Sequence, residues 1–374
     1  MTRHELIVAP FLGRFLVLRP GQQHGVEIPL DRYTELANAS AREGDLPQWL
    51  TDAAKSAWAL DLTGWSADRA LLVRAPSPYG YARASYEINK GCNYNCPHCY
   101  LPLRPFEGLP SERKRQVIDI MRDAGVLWLQ ITGGEPLIDR EFPATYQYAY
   151  DAGMMIAVSS NGSELRKPNI LSVFRERPPY RLTFSLYGAT AATYDGFTRS
   201  KGAYGRFIES LDAARDAGLP VRLNIIVSKD NAHELDAMEA LAEGYGFPHQ
   251  VFTNMSPTID GGAAPLPTQA TEHLRQRRPF TGCNAGHTFF HVDPLGHASI
   301  CKVARDPHIV LPEEGIEGLR RLGAIADGLQ LRTGGCSGCA LSGTCWTCRP
   351  LAKLYQEAKA PREMYCQHTE RVGA

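Results

Sequence analysis

Apolar and polar positions change rhythm along this chain, and the changes mark its parts. Leu6 to Leu18 is apolar but broken by Pro10 and Gly13, which predicts two short strands. Pro29 to Leu60 repeats apolar residues at helical spacing, and Pro76-Ser77-Pro78-Tyr79-Gly80 reads as a linker. A regular alternation follows. Strands are expected at Ala84–Ile88, Val126–Thr132, Met154–Ser160, Arg181–Leu186, Val221–Val227 and Gln250–Met255. Helices fit Ser111–Ala124, Phe142–Ala152, Pro168–Phe174, Tyr204–Ala217 and Ala232–Tyr245, with Ser111 as a cap and Gly125 and Gly153 as stops. Six strands alternating with helices argue for an α/β fold with a parallel sheet and βα crossovers. Sites in such sheets lie at the carboxyl ends of the strands. Residues 256–280, rich in Gly, Pro and Thr, read as a connection, and after Cys283 the periodicity fades into Gly and Cys.

Composition narrows the function classes. The 374 residues include 44% hydrophobic ones, ample for a core, and exceed one typical domain. Lys plus Arg and Asp plus Glu both total 40, so no basic excess points to nucleic acid. No run of 18 apolar residues predicts a membrane span, and the start Met-Thr-Arg-His-Glu-Leu-Ile-Val-Ala-Pro lacks a signal-peptide pattern, so a cytoplasmic location is expected. Ten cysteines then need a reason. In a reducing compartment clustered thiols suggest metal before disulfides. Three lie at 92–99 and seven at 283–366, around a body that has none.

The first group reads Asn89-Lys90-Gly91-Cys92-Asn93-Tyr94-Asn95-Cys96-Pro97-His98-Cys99-Tyr100, a C-x3-C-x2-C spacing. Three thiolates on one short loop suit three irons of a cubane and leave the fourth iron without a protein ligand, whereas three cysteines alone would also suit a zinc knuckle. The spacing, on the loop after the first strand of the alternation, resembles the radical SAM superfamily, with His98 where that family usually has an aromatic residue. The resemblance extends in family order through Thr132-Gly133-Gly134-Glu135-Pro136, Ser159-Ser160-Asn161-Gly162, Phe184-Ser185-Leu186 and Tyr194-Asp195-Gly196-Phe197-Thr198-Arg199. It implies a partial (β/α)6 TIM-like barrel, a [4Fe–4S] cluster on Cys92, Cys96 and Cys99, and S-adenosylmethionine on the open iron. It implies cofactor contacts at Gly133, Gly134, Glu135, Asn161, Ser185 and Arg199, and a reductant such as flavodoxin or ferredoxin. Asn224 is a further polar residue on a core strand.

The second group runs Cys283, Cys301, Cys336-x2-Cys339-x5-Cys345-x2-Cys348, Cys366. Zinc ribbons usually separate their C-x2-C pairs by roughly 15–20 residues, more than is found here. The order resembles the SPASM extension of radical SAM peptide-modifying enzymes, although the family more often has three residues between the cysteines matching Cys345 and Cys348. It implies two auxiliary [4Fe–4S] clusters, one on Cys336, Cys339, Cys345 and Cys366, the other on Cys283, Cys301 and Cys348. For the latter's fourth position three accounts stand: an open iron, a non-cysteine ligand such as His287, His291 or Asp293, or a remote residue.

The division expected is residues 1–80, a small α+β unit; 81–265, the partial barrel; and 266–374, a loop-rich iron–sulfur domain. The resemblance implies an enzyme that abstracts hydrogen from a ribosomally made peptide and leaves a crosslink or an oxidised residue. The first unit resembles a leader-binding element that adds a peptide as a strand, or is a barrel cap. Alternatives are sulfatase maturation, disfavoured because Lys302 follows Cys301 where that family has an aspartate base, a small-molecule dehydrogenase, and a non-enzymatic iron–sulfur or zinc protein. Asp260, Lys302 and Tyr187 are the candidate acid–base groups.

Overall fold

The computed structural model describes residues 4–102, 105–274, 279–331, 336–339 and 345–367. The first unit holds strands β1 (Leu6–Phe11), β2 (Arg14–Leu18) and β3 (Gly25–Ile28), helices α1 (Leu30–Ala41), α2 (Gln48–Trp58) and α3 (Ala67–Ala70), and strand β4 (Leu71–Val73). The barrel alternates β5 (Arg83–Glu87), α4 (Ser111–Asp123), β6 (Trp128–Thr132), α5 (Phe142–Asp151), β7 (Met155–Ser160), α6 (Pro168–Glu176) and β8 (Arg181–Leu186). It continues with α7 (Ala191–Thr198), α8 (Ala203–Asp216), β9 (Val221–Ile226), α9 (Leu235–Gly244) and β10 (His249–Phe252). The last third adds β11 (Phe289–Val292), β12 (His297–Ser299), β13 (Ile309–Val310), α10 (Leu311–Glu314), α11 (Leu322–Gln330) and α12 (Arg349–Glu357). Among the described residues no helix is long and apolar enough to cross a membrane.

Strands β5 to β10 pair in parallel in sequence order, and the sheet does not close, so the barrel is partial, as the resemblance implies. Alternation along each strand decides what each face does. On β8, Leu182, Phe184 and Leu186 are buried and belong to the main core, while Arg181, Thr183 and Ser185 are half-buried on the other, concave face. The registers Ser159↔Thr183 and Ser185↔Asn224 continue that polar face across neighbouring strands. A closed barrel packs its interior with apolar layers. This open one lines it with hydroxyls and amides.

The last third is joined to the barrel rather than set beside it. Strand β11 pairs in parallel with β5, through Phe289↔Arg83 and Val292↔Tyr86, and β12 and β13 extend the same nine-stranded sheet. The periodicity does not reveal these strands, because four, three and two residues hold too few alternations. Helix α7 is also absent from the sequence reading, and Ser111 does not cap α4. Pro110 is the extended residue before that helix, and the Ser111 hydroxyl bonds the Glu141 carboxylate instead.

Strand β1 is apolar on both faces for a reason. Leu6 and Val8 pack with Tyr33, Leu36 and Trp58 of the first unit. Ile7, Ala9 and Phe11 pack against Ala82, Leu127 and Met155, which open β5, β6 and β7. Full burial of each large side chain contributes about 1.5–3 kcal/mol. The first unit therefore caps the amino end of the barrel, opposite the cysteine loop. Arg74 pins it there, donating to the carbonyls of Val126 at 2.6 Å and Arg122 at 2.8 Å.

Candidate iron–sulfur and S-adenosylmethionine site

Strand β5 ends at Glu87 and the chain enters the loop of Cys92, Cys96 and Cys99. Backbone bonds moor the loop: Gly134 N–H donates to Asn89 O at 3.0 Å, and Glu135 N–H donates to Gly91 O at 2.8 Å. Glycine is required there. A Cβ at Gly133 would lie 2.5 Å from the Asn89 carbonyl oxygen, and one at Gly134 would run into the carbonyls of Lys90 and Gly91. Gly133 also holds φ +154. The glycine pair thus lets the β6 turn lie directly on the base of the cysteine loop.

Glu135 faces the protein and is fully buried. Its carboxylate accepts from Leu137 N–H at 2.9 Å, Ser160 Oγ at 2.6 Å and Asn161 N–H at 2.6 Å. Burial raises its pKa to about 7 against those three bonds, which pull the other way. Asn161 passes the link on, donating from Nδ2 to Asn93 Oδ1 at 2.8 Å inside the cysteine loop. Ser185 is half-buried on the concave face, with Asn224 as its register partner. Arg199 is exposed and caps α7 in a left-handed conformation at φ 52. The residue before it, Thr198, accepts from Asn95 N–H at 2.9 Å, so this helix end abuts the loop.

An aromatic wall backs the thiols. His98 lies 5.4 Å from Tyr187 and 5.0 Å from Phe197, ring to ring, and Tyr187 stacks on Phe197 at 4.9 Å. Burial, and then the charge of Cys96, hold the Tyr187 phenol far above its usual range. Three unbridged thiols on one short loop are the donor set that a cubane takes, although among the described residues they are not already drawn together as a metal-holding group. Tyr187 belongs to that wall. Asp260 closes its own turn, accepting from Thr258 Oγ1 and Gly262 N–H.

The second group comes from separated segments. Cys283 is exposed and lies before β11, Cys301 follows β12, and Cys348 precedes α12. Burial raises the Cys301 and Cys348 thiols; Cys283 acts electrostatically on both, and Cys301 on Cys348. Helix α12 presents Arg349 to Cys345 at 3.7 Å and Gln356 to Cys336 at 3.4 Å. Cys339 N–H donates to Cys336 O at 3.3 Å, and Cys366 follows the short helix Arg362–Met364. Each of the three non-cysteine candidates has a polar partner here, but one nitrogen of each histidine is left for other use, and His291 Nε2 is buried without a hydrogen-bond partner. His287 meets Asp327 at 3.0 Å, His291 meets Ser85 Oγ at 2.8 Å, and Asp293 accepts from Leu295 and His297 in the β11–β12 turn.

Between the two groups lies a charged cluster in which Glu87 and Arg305, not singled out in the sequence, join His291 and Lys302, which were. Glu87, 1% exposed, accepts from Arg305 Nη2 at 2.8 Å and from the Tyr100 hydroxyl at 3.2 Å. Desolvation alone would raise its pKa, but the charges of Arg305 and Lys302 outweigh it and the pKa is lowered. Burial lowers His291 to about 3, so it is neutral. Lys302 Nζ sits 5.1 Å above the Tyr100 ring. The available signal was the polar alternation Arg83, Ser85, Glu87 on β5, which puts a carboxylate on the concave face.

An open parallel barrel with a three-cysteine loop at the carboxyl end of its first strand defines a class. Residues 86–242 match the radical SAM superfamily model, and the chain carries a radical SAM domain. The family implies a [4Fe–4S] cluster and S-adenosylmethionine. Over 165 residues, 43% of this chain and 47% of the relative, it is 32% identical to "AdoMet-dependent heme synthase" of Methanosarcina barkeri. It is 26% identical to "Mycofactocin maturase MftC" of Mycolicibacterium smegmatis over 57% of this chain and 56% of that one. The chain thus spans about half the length of these curated relatives. Streptococcus suis SuiB bound to precursor peptide SuiA superposes with TM-score 0.63 over 92% of this chain and 94% of that one, at 12% identity, a likeness of fold.

Proposed function

We propose that this protein is a radical SAM peptide maturase. A [4Fe–4S] cluster on Cys92, Cys96 and Cys99, with S-adenosylmethionine on its open iron, would supply the electron that breaks a carbon–sulfur bond and yields a 5′-deoxyadenosyl radical. The chain's own residues hold and shield that site. Gly133 and Gly134 leave room for the loop and expose backbone to the cofactor's methionine end. Glu135 and Asn161 fix the neighbouring strand end. Ser185 and Asn224 line the concave face, Arg199 stands at the loop's edge, and the Tyr187–Phe197 wall keeps water off the thiols. The observation that carries the reading is the three-thiol loop moored on the glycine pair.

Auxiliary clusters on Cys336, Cys339, Cys345 and Cys366, and on Cys283, Cys301 and Cys348, would take the second electron of an oxidation or crosslink. A three-part division at residues 80 and 265 serves this reading, with β11 tying the last part to the barrel.

A peptide substrate is favoured by the first unit. One face of its sheet caps the barrel, while β3 ends the strand order and leaves an edge to which an extended leader can pair. Deleting the unit would bare Ala82, Leu127 and Met155, so single prolines are the cleaner probe. Adjacent backbone N–H groups point to opposite sides of a strand, so a proline at Val26 and one at Glu27 affect opposite edges. The outward-facing one should weaken precursor binding with the fold intact.

The enzyme reading is tested by anaerobic reconstitution with S-adenosylmethionine and dithionite. 5′-Deoxyadenosine should form with the wild type and fall to background with Cys92, Cys96 and Cys99 all replaced by Ala. Equal yields would reject it.

A further inference from the structure

The gap between the two cysteine groups holds more positive than negative charge. Tyr100 follows Cys99, Lys302 follows Cys301, and the Lys302 ammonium lies 5.1 Å above the Tyr100 ring, so this side chain spans from one cysteine loop to the other. Among the described residues the carboxylate that faces them is that of Glu87, and it is committed: Arg305 binds it at 2.8 Å and the Tyr100 hydroxyl at 3.2 Å. His291, 3.7 Å away, is neutral and contributes no charge. The remaining acids nearby serve their own turns, Asp293 with His297 at 3.2 Å and Asp306 with His308 at 2.8 Å.

Among the described residues Lys302 therefore has no carboxylate within ion-pair distance. Lys302 as a residue is exposed, although desolvation of its ammonium lowers its pKa, whereas Glu87 beneath it is sealed. The arrangement is a fixed Glu87–Arg305 pair as floor and an unpaired ammonium above it. A cation lying over an aromatic face keeps its outer N–H donors free for an anion.

We propose that Lys302 selects the substrate by binding a carboxylate of the reacting peptide segment, either an Asp or Glu side chain or a free C-terminus. This rests on the peptide-maturase reading and deepens it. Hydrogen bonds to charged groups contribute enough that loss of the ion pair should weaken binding about tenfold to a hundredfold. The competing role for the lysine is to balance the charge of a cluster on Cys301, and the test separates the two.

The probe is a pooled library of N-acetylated tetrapeptides, prepared once as free acids and once as C-terminal amides. It is equilibrated with the full-length reconstituted protein and S-adenosylmethionine, and the retained fraction is read by mass spectrometry. The wild type should enrich acidic members about tenfold or more. Enrichment in the amide pool assigns a side-chain carboxylate; enrichment confined to the free acids assigns the C-terminus. K302M should erase the preference, K302E should reverse it toward Lys- and Arg-containing members, and K302R should restore it. Unchanged far-ultraviolet circular dichroism and melting will establish that the variants fold. No acidic enrichment by the wild type overturns the proposal, as does enrichment that survives in K302M while only the cluster's midpoint potential moves in an electron paramagnetic resonance titration. 5′-Deoxyadenosine formation without peptide tests the radical SAM reading separately, so wild-type protein that cleaves the cofactor yet shows no charge preference sinks this inference alone.

Discussion

The two cysteine groups differ in how the chain assembles them. Cys92, Cys96 and Cys99 ride one loop moored by short-range βα architecture: the Gly133–Gly134 turn, the Asn93–Asn161 bond and the end of α7. Cys283, Cys301 and Cys348 come from three segments that β11, β12 and α12 bring within electrostatic reach. The first loop is positioned by backbone bonds that need no metal. The second group must close long loops, and metal binding there is coupled to ordering the chain. Chelating iron should therefore leave amide-exchange protection of β5–β9 nearly intact and lower it over residues 283–367. Uniform loss across both regions would break the contrast.

Glu87 is where the regions meet, and its removal should have the largest thermodynamic effect. Glu87→Gln leaves Arg305, with 18% side-chain exposure, facing a neutral partner. Breaking a buried pair in this way costs about 3–5 kcal/mol, and the partial exposure of Arg305 places the expected loss near the lower figure. Chemical denaturation measures it; a change under 1 kcal/mol would show that the pair does not couple strand and cysteine loop.

Glu135 sharpens the comparison through pH. Its folded pKa is raised to about 7, so the fold favours the neutral acid. The stability linked to this group is fully present below the unfolded value near 4.5 and is lost as pH rises through about 7. Glu135→Gln does not titrate but opposes a second donor to Asn161 N–H. The variant should be the less stable at pH 5, with the gap narrowing by about 2–3 kcal/mol by pH 8. A gap that widens would contradict the burial account. Gly134→Ala should have the smallest effect, about 1–3 kcal/mol, because a Cβ pressing on the Lys90 and Gly91 carbonyls forces the loop to shift. Iron content at the first site should fall with it.

How much of this was legible in the sequence follows from the same contrast. Strands β5 to β10 are long enough to show their alternation, and the residues bearing the family resemblance stand at their ends. Arg181–Leu186 is recovered residue for residue. The first unit's β1 and β2 are visible because Gly13 breaks an apolar run, whereas β3 and β4 are too short to register. Strand β11 is hidden for the same reason, and its pairing with β5 joins residues some two hundred apart, which no local pattern encodes. The Glu87–Arg305 pair is equally long-range. The role of the glycine pair was only partly readable: the resemblance implies cofactor contacts at Gly133 and Gly134, and the structure adds that the Asn89, Lys90 and Gly91 carbonyls press on them.

The most direct test of the central assignment is an electron paramagnetic resonance spectrum of the dithionite-reduced protein before and after S-adenosylmethionine is added. The account expects the cofactor to change the signal of one cluster, and expects that change to vanish in Cys96→Ala and persist in Cys301→Ala. A change that survives in Cys96→Ala, or that disappears with Cys301, would contradict it.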